Sequence, residues 1–368
     1  MLPFLVVLSC LAVSWLLLDR AAVLADRLGL IDRPDGARKI HARPTPRIGG
    51  LAFMASLVIL FGASYALDGT PDTLLLSGGA LVLFHFLMGV VDDRRGLPAS
   101  WRLILSIAAC ALALAVDDTL VVHTIRLGLG GTLELPAVAA FIATTLGLVF
   151  FIFSVNLMDG RNGILGVNAL WWLVLLEVAT GALPIWTFAA LVGTLLLFLR
   201  FNLRGLLFAG DAGAYVVGAG IAVLALALYA DHRSSLGLDQ MAVLFLLPVL
   251  DAGRVLIRRL CLHLMPFGAD DSHLHHVLWR RAGDRRAARL YCIAIVAPSS
   301  FAVLLPQAAP MILAGAVGFF FLLVYWPTEP LRSAPRGWRY VVPMLPGHLP
   351  LRRLGKIAAP RPQHPRTY

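Results

Sequence analysis

Residues 73–96 read TLLLSGGALVLFHFLMGVVDDRRG. From Thr73 to Val91 there is no Asp, Glu, Lys or Arg, and a helix needs about 20 predominantly apolar residues to cross the hydrocarbon core of a bilayer. The run then ends on two acids and two arginines, as a membrane span does where it emerges at a charged interface. The rest of the chain repeats the pattern. Of 368 residues, 59% are hydrophobic and 14% charged, against roughly 45–50% and 25% in soluble domains. That apolar content would fill on the order of eleven spans. The expected fold is an all-α polytopic membrane protein of about eleven transmembrane helices, and a soluble fold is unlike this composition.

Apolar runs between charged or Gly/Pro-rich breaks fall at 3–25, 49–67, 73–91, 101–116, 136–155, 164–181, 183–200, 213–230, 238–257, 289–307 and 309–326. The first lacks a charged n-region and its basic residues follow the apolar stretch, which favours an uncleaved helix over a signal peptide. With the N-terminus outside, the inner segments are 26–48, 92–100, 156–163, 201–212, 258–288 and the tail from 327. All of the 31 Lys and Arg residues then lie inside or at inner helix ends except Arg126 and Arg233, as the positive-inside rule requires. This accounts for the net charge of +10 without a nucleic-acid partner.

Among the outer segments, residues 117–136 carry β-formers and then Gly128, Gly130 and Gly131, which predicts a small periplasmic β-hairpin. The predicted organisation is a polytopic membrane domain, 1–326, and a basic, Pro-rich cytoplasmic tail, 327–368. That tail holds nine prolines and eight basic residues, too many breakers for a packed domain. The four cysteines, Cys10, Cys110, Cys261 and Cys292, have no CxxC spacing and suggest neither zinc nor a disulfide framework.

Once phased, the unusual polar clusters share one face: DRPDGARKIHARPTPRIGG (32–50), MGVVDDRRG (88–96), NLMDGRNG (156–163), GDAGAYVVG (210–218) and PFGADDSHLHH (266–276). Asp92 and Asp93 are adjacent acids at a helix end, costly unless a cation or proton is shared. They read equally as interfacial charges, and Asp117–Asp118, placed on the outer face, repeats the pair without the setting. Asn156, Asp159 and Asn162 recur every three residues, so a helical turn would align them on one face; caps and turns favour the same residue types. Asp211 also sits beside a glycine. His273, His275 and His276 lack cysteine companions and suit anion handling better than zinc, a solvated loop being the plain alternative. Asp251, Arg254 and Arg258 are spaced to pair along a helix. Magnesium is usually held by one or two carboxylates together with phosphate oxygens. Carboxylates, glycines and cations at a membrane surface are what joining a soluble diphosphate compound to a lipid phosphate needs.

Taken in order, RKIHARPTPRIGG, GVVDDRRGLP, VNLMDGRNGILG, FAGDAGAYVVG, PVLDAGRVLIRR and PFGADDSHLHHVL resemble the polyprenyl-phosphate N-acetylhexosamine-1-phosphate transferases, from about residue 32 to residue 280. The resemblance implies transfer of N-acetylhexosamine 1-phosphate, in the N-acetylglucosamine-type branch GlcNAc 1-phosphate, from a UDP-sugar to undecaprenyl phosphate. The products would be undecaprenyl-diphosphate-sugar and UMP, and the step would initiate a cell-surface polysaccharide. It implies Mg²⁺ (or Mn²⁺) as cofactor. It assigns Asp92 and Asp93 to catalysis, Asp211 with Asp93 to the metal, and Asn156 and Asp159 to the nucleotide-sugar site. It assigns His273, His275 and His276 to the phosphate or acceptor loop, with Lys39, His41 and Arg43 as further binding candidates. Partners would be UDP-N-acetylhexosamine, undecaprenyl phosphate and membrane lipids, with a homodimer compatible with this set. The location implied is the bacterial inner membrane, with the site facing the cytoplasm. Two positions depart from the family: Ala214 stands where many relatives have Ser, and Phe153 where Asn is often found. The alternatives are a muramoyl-pentapeptide transferase or UDP-sugar relative, or, in another class, a transporter or lipid flippase, which would carry polar sites near the bilayer midplane.

Overall fold

The computed structural model describes residues 1–34, 43–68, 73–231, 236–264 and 270–325. The chain runs α1 (Leu2–Asp19), α2 (Ala21–Leu28), β1 (Ile31–Asp32), β2 (Thr45–Pro46), α3 (Gly49–Asp68), α4 (Thr73–Arg95), α5 (Ala99–Val116), β3 (Thr124–Arg126) and β4 (Thr132–Glu134). It continues through α6 (Ala137–Met158), α7 (Ile164–Thr180), α8 (Ile185–Asn202), α9 (Gly210–Ala230), α10 (Leu238–Leu244), α11 (Leu246–Cys261), α12 (Leu274–Leu304) and α13 (Ala309–Tyr325). Among the described residues, nine helices are long and apolar enough to cross a membrane, or ten if α10 and α11, bent by 73°, form one span.

Among the described residues, each of the eleven apolar runs is largely helical, with three corrections. The run 3–25 is not one helix, because it breaks at Arg20 between α1 and α2. The run 164–181 forms the 17-residue α7, which at 1.5 Å per residue is about 25 Å long, short of a core of about 30 Å. The run 238–257 is the bent α10–α11 pair. The predicted loop 258–288 is partly helical as well, since α12 starts at Leu274 and is broken only at Gly283, where φ is +71°. The tail from 327 lies outside the described residues.

Apolar helices gain little from the hydrophobic effect inside lipid, so they associate through small residues and interhelical hydrogen bonds. Helix α9 is the central post: Tyr215, Ala219 and Ala225 are buried, and a Cβ at Gly218 would lie 3.2 Å from Ile152 Cα of α6. Ser14, Ser56 and Thr194 form a hydroxyl chain of 2.9 and 2.8 Å linking α1, α3 and α8. Buried His85 of α4 donates from Nδ1 to the Leu81 carbonyl at 2.9 Å, which leaves Nε2 to accept from Ser106 of α5 at 2.8 Å.

Residues 124–134 form a short hairpin: Thr124 pairs with Glu134 and Arg126 with Thr132, antiparallel. It is tied to the helix ends where Gly128 N donates to Asp239 at 3.0 Å and Tyr229 Oη donates to Thr124 O at 2.7 Å. A second two-stranded pairing, Ile31 with Pro46 and Asp32 with Thr45, lies in the loop before α3 and was not expected from the sequence.

Candidate active site

The C-terminal end of α4 and the N-terminal end of α9 meet because glycines let their backbones touch. A Cβ at Gly89 of α4 would fall 2.6 Å from Ala212 N, and one at Gly50 of α3 would fall 2.6 Å from Gly213 N. The segment before α3 runs beside the one before α9, with Phe208 N bonded to Pro46 O at 2.8 Å and Gly49 N to Phe208 O at 3.0 Å. The first N–H groups of a helix have no partner within it and carry the positive end of its dipole. Asp93 supplies the partner: its Oδ2 accepts from Ala212 N at 3.0 Å. Gly210, at φ +74°, gives it room, since a Cβ there would sit 2.5 Å from that oxygen.

The other Asp93 oxygen takes Arg47 Nη1 at 3.2 Å, while Arg47 Nη2 reaches Asp32 at 2.6 Å. Arg47 is the site residue that sequence reasoning missed. Its one signal is a cation directly before the IGG that opens α3, and its partners lie 15 and 46 residues away.

Asp92 points elsewhere. Successive helical residues are about 100° apart around the axis, so when Asp93 faces α9, Asp92 faces the start of α5. There it accepts from Leu97 N at 2.7 Å and from Arg102 Nη1 at 2.7 Å. The adjacent acids therefore have different neighbours, one capping α9 and the other fastening α5.

Asp211 lies in the first turn of α9, and Asn156, in the last turn of α6, contacts its carboxylate. The expectation that Asn156, Asp159 and Asn162 share one helical face is corrected: α6 ends at Met158 and Asp159 is its C-cap, with φ −73° and ψ 51°. The turn instead brings Asp159 toward Asp211 and Asp93. Burial, then the charges of Asp211 and Asp93, push the Asp159 carboxyl up to about 7. Phe153 fills the space at its position by packing on Tyr215, ring centres 5.8 Å apart, and Ala214 is buried in α9.

The donor set is one of hard carboxylate oxygens, which suits Mg²⁺ and not a thiolate- or imidazole-seeking metal. Among the described residues, no group of three or more His, Cys, Asp or Glu side chains is placed to hold a metal ion by itself. A hard cation that takes one or two carboxylates and completes its shell with phosphate oxygens and water fits that set.

The histidine segment is held against the DGRNG turn. His273 Nδ1 donates to Asp251 at 2.9 Å, and its ring stacks on His275 with centres 5.8 Å apart and planes 7° from parallel. His276 lies 4.1 Å from His275, ring centre to ring centre. His275 Nε2 abuts Gly160 so closely that a Cβ there would overlap it. Burial first, and then the neighbouring His276 and His273, hold the His275 imidazole down to about 3, so it is neutral at physiological pH. Arg161 of the same turn stacks on Trp279 of α12 at 4.9 Å.

Asp93, Asn156, Asp159 and Asp211 are thus gathered at one place, Asp92 stands behind them, and the three histidines adjoin through Gly160. Arg43 is exposed just before β2, and Lys39 and His41 lie outside the described residues. Asp117 is at the other end of α4, where it accepts from Ser77 Oγ at 3.2 Å. The sixteen helical steps from Ser77 to Asp93 span about 24 Å.

The model of Glycosyl transferase family 4 matches residues 75–229, which include both ends of this carboxylate cluster. Over those residues the chain is similar to glycosyl transferase family 4. It is a transferase of the phosphoglycosyl class. It is similar to the decaprenyl-phosphate N-acetylglucosaminephosphotransferase of Mycolicibacterium smegmatis, 29% identical over 302 residues and 73% of each chain. It is also similar to the undecaprenyl-phosphate alpha-N-acetylglucosaminyl 1-phosphate transferase of Escherichia coli O157:H7, 26% identical over 76% of this chain and 77% of the relative. The enzyme of the same name from Salmonella typhi is 27% identical over 73% of this chain and 74% of the relative. The family match stops short of the histidine segment, whose connection to the site is visible in the packing of His275 on Gly160.

Proposed function

We propose that the protein transfers N-acetylglucosamine 1-phosphate from UDP-N-acetylglucosamine to undecaprenyl phosphate, releasing UMP, at the cytoplasmic face of a bacterial plasma membrane. An oxygen of the lipid phosphate attacks the sugar-bearing phosphorus of the donor. The bond from that phosphorus to the bridging oxygen breaks, UMP leaves with that oxygen, and the new P–O–P link joins lipid to sugar phosphate. No side-chain nucleophile is required.

The observation that carries this reading is the meeting of Asp93, Asp159 and Asp211 at the N-terminal end of α9, within the residues that match the family model. Three acids crowded together repel one another unless a cation or proton is shared, and a transferred diphosphate supplies both a need for cations and oxygens to complete their shells. Asp211 and Asp93 would hold Mg²⁺ (or Mn²⁺), which when bound neutralises charge on the diphosphate. Asn156 and Asp159 contact the nucleotide sugar, and a carboxylate of the cluster takes any proton left on the attacking phosphate. Arg47 holds Asp93 in register with the α9 amides, while Asp92 fixes the α4–α5 corner behind it. His273, His275 and His276 form the loop beside the phosphate or the acceptor, joined by Lys39 and Arg43 from the first inner loop.

In this reading α7 is an eleventh, short span, the N-terminus and the β3–β4 hairpin are periplasmic, and the basic tail is cytoplasmic. The names of the relatives support GlcNAc over a muramoyl-pentapeptide donor. Gathering of the acids at helix ends, away from a midplane, supports an enzyme over a transporter. The test of donor choice is transfer of radiolabel from each of a panel of UDP-N-acetylhexosamines into solvent-extractable lipid by the purified protein. Label from UDP-GlcNAc in preference to UDP-GalNAc and UDP-MurNAc-pentapeptide is expected; preference for either of the others would overturn the assignment of the sugar.

A further inference from the structure

Asp251 of α11 is buried, and its carboxylate accepts four hydrogen bonds. Arg254 Nη2 donates at 2.8 Å, the ordinary i, i+3 pair of a helix. The other three reach across to the start of α12: Leu274 N to both oxygens at 3.0 Å, and His273 Nδ1 at 2.9 Å. Arg254 also donates to the Ser272 carbonyl, so three consecutive residues of the DDSHLHH segment are pinned to α11. A simple surface ion pair would need only the first of these bonds.

A carboxylate can only accept, so the nitrogen facing it must carry the proton. In the neutral ring of His273 that puts N–H on Nδ1 and the lone pair on Nε2. Carboxylates that set the tautomer of a working histidine in this way are a recurrent device. His273 stacks on His275, and His275 packs on Gly160, next to Asp159. The orientation of the first histidine is therefore coupled by contact to the carboxylate cluster.

We propose that Asp251 is a positioning residue, which orients His273 and fixes its tautomer by accepting from Nδ1 while holding the N-terminal turn of α12 against α11. The effect on turnover, though not the effect on the ring, rests on the transferase reading above.

Two measurements test it. Asp251→Asn keeps an oxygen to accept from Leu274 N, but its amide would now face Nδ1 and favour the opposite tautomer. In full-length protein with ¹⁵N-labelled histidine, with the His273 signals assigned by loss in His273→Ala, Nδ1 should show the protonated pattern in the parent and lose it in Asp251→Asn. Unchanged His273 signals in Asp251→Asn would overturn the proposal, whether or not the protein releases UMP. In the UMP assay, Asp251→Asn should lower kcat by roughly 10–100-fold, the usual cost of losing a partner that orients a working histidine, with KM for the UDP-sugar little changed. In a His273→Ala background the same substitution should cost almost nothing further. An equal additional loss there would mean that Asp251 acts on stability alone. If the parent protein releases no UMP, the transferase reading fails and the ¹⁵N result still decides the role of Asp251.

Discussion

The Asp93 carboxylate of α4 accepts the backbone N–H of Ala212 in α9 at 3.0 Å, so an acidic side chain caps the helix whose first turn carries Asp211. That contact places two carboxylates at the positive end of one helix dipole, which favours negative charge there.

The proposed transfer requires charge at these two positions. Asp93→Asn and Asp211→Asn should each cut UMP release by about 100-fold or more, on the scale of losing a principal electrostatic contact to the reacting group. Asp118→Asn should leave it unchanged, because Asp118 pairs with His123, near the opposite end of α4 from Asp93. Loss of activity in Asp118→Asn would place the site wrongly.

Close approach of α4 and α9 depends on Gly89. A Cβ there would meet Ala212 N at 2.6 Å, so Gly89→Ala should force the helices apart. Overpacking of this kind costs about 1–3 kcal/mol. A lower Tm in detergent together with at least a tenfold loss of UMP release is expected; wild-type values of both would contradict the packing.

Asp92 should differ from Asp93 in what it sustains. Asp92→Asn weakens its bonds to Arg102 and Leu97 and should lower stability by about 1–3 kcal/mol, as an under-satisfied buried group does. Arg102→Leu in the same background should recover part of that loss in thermal unfolding. If Asp92→Asn unfolds like the parent yet releases no UMP, Asp92 acts in the chemistry directly.

Stability should fall in acid through His275. Its imidazole is held down to about 3 by burial and its histidine neighbours, against about 6.5 in an unfolded chain. Above pH 6.5 neither state binds the proton and the contribution is whole; between 6.5 and 3 only the unfolded state binds it, so stability drops as pH falls. Tm measured from pH 7.5 to 5 should decline less steeply in His275→Gln than in the parent. Parallel curves would contradict the assignment of a buried neutral ring.

The two ends of the bundle should label from opposite sides. With exposed Cys261 and Cys292 replaced by serine, single cysteines at the exposed positions Arg95 and Leu129 should react from the cytoplasm and the periplasm respectively. Position 129 suits the test better than 128, where a side chain would strike Pro306. Labelling of both from one side would break the topology.

The apolar runs were legible because span length and charge breaks are local properties. The break at Arg20 was not, since neither Gly nor Pro marks it, and the 73° bend between α10 and α11 lies at Phe245, where Pro248 in the first turn of α11 is the nearest local signal. Asp93, Asp159 and Asp211 could be singled out by residue type and by neighbouring glycines, charges or motif resemblance. What the sequence could not separate was Asp92 from Asp93, because their difference is a rotation about a helix axis relative to α5 and α9. Arg47 and the Asp251–His273 pair were hidden for the same reason: their partners are set by the packing of distant segments. The pairing of Asp251 with Arg254, three residues on, was legible, whereas its bond to His273, 22 residues on, was not.

The most direct test of the transferase reading is UMP release from UDP-N-acetylglucosamine by the purified full-length protein with Mg²⁺, in the presence and absence of undecaprenyl phosphate. The predicted result is UMP formed in proportion to undecaprenyl-diphosphate-GlcNAc, only when the lipid phosphate is present, and abolished by EDTA. A folded protein that releases no UMP with the lipid, or releases it equally without, would contradict the account.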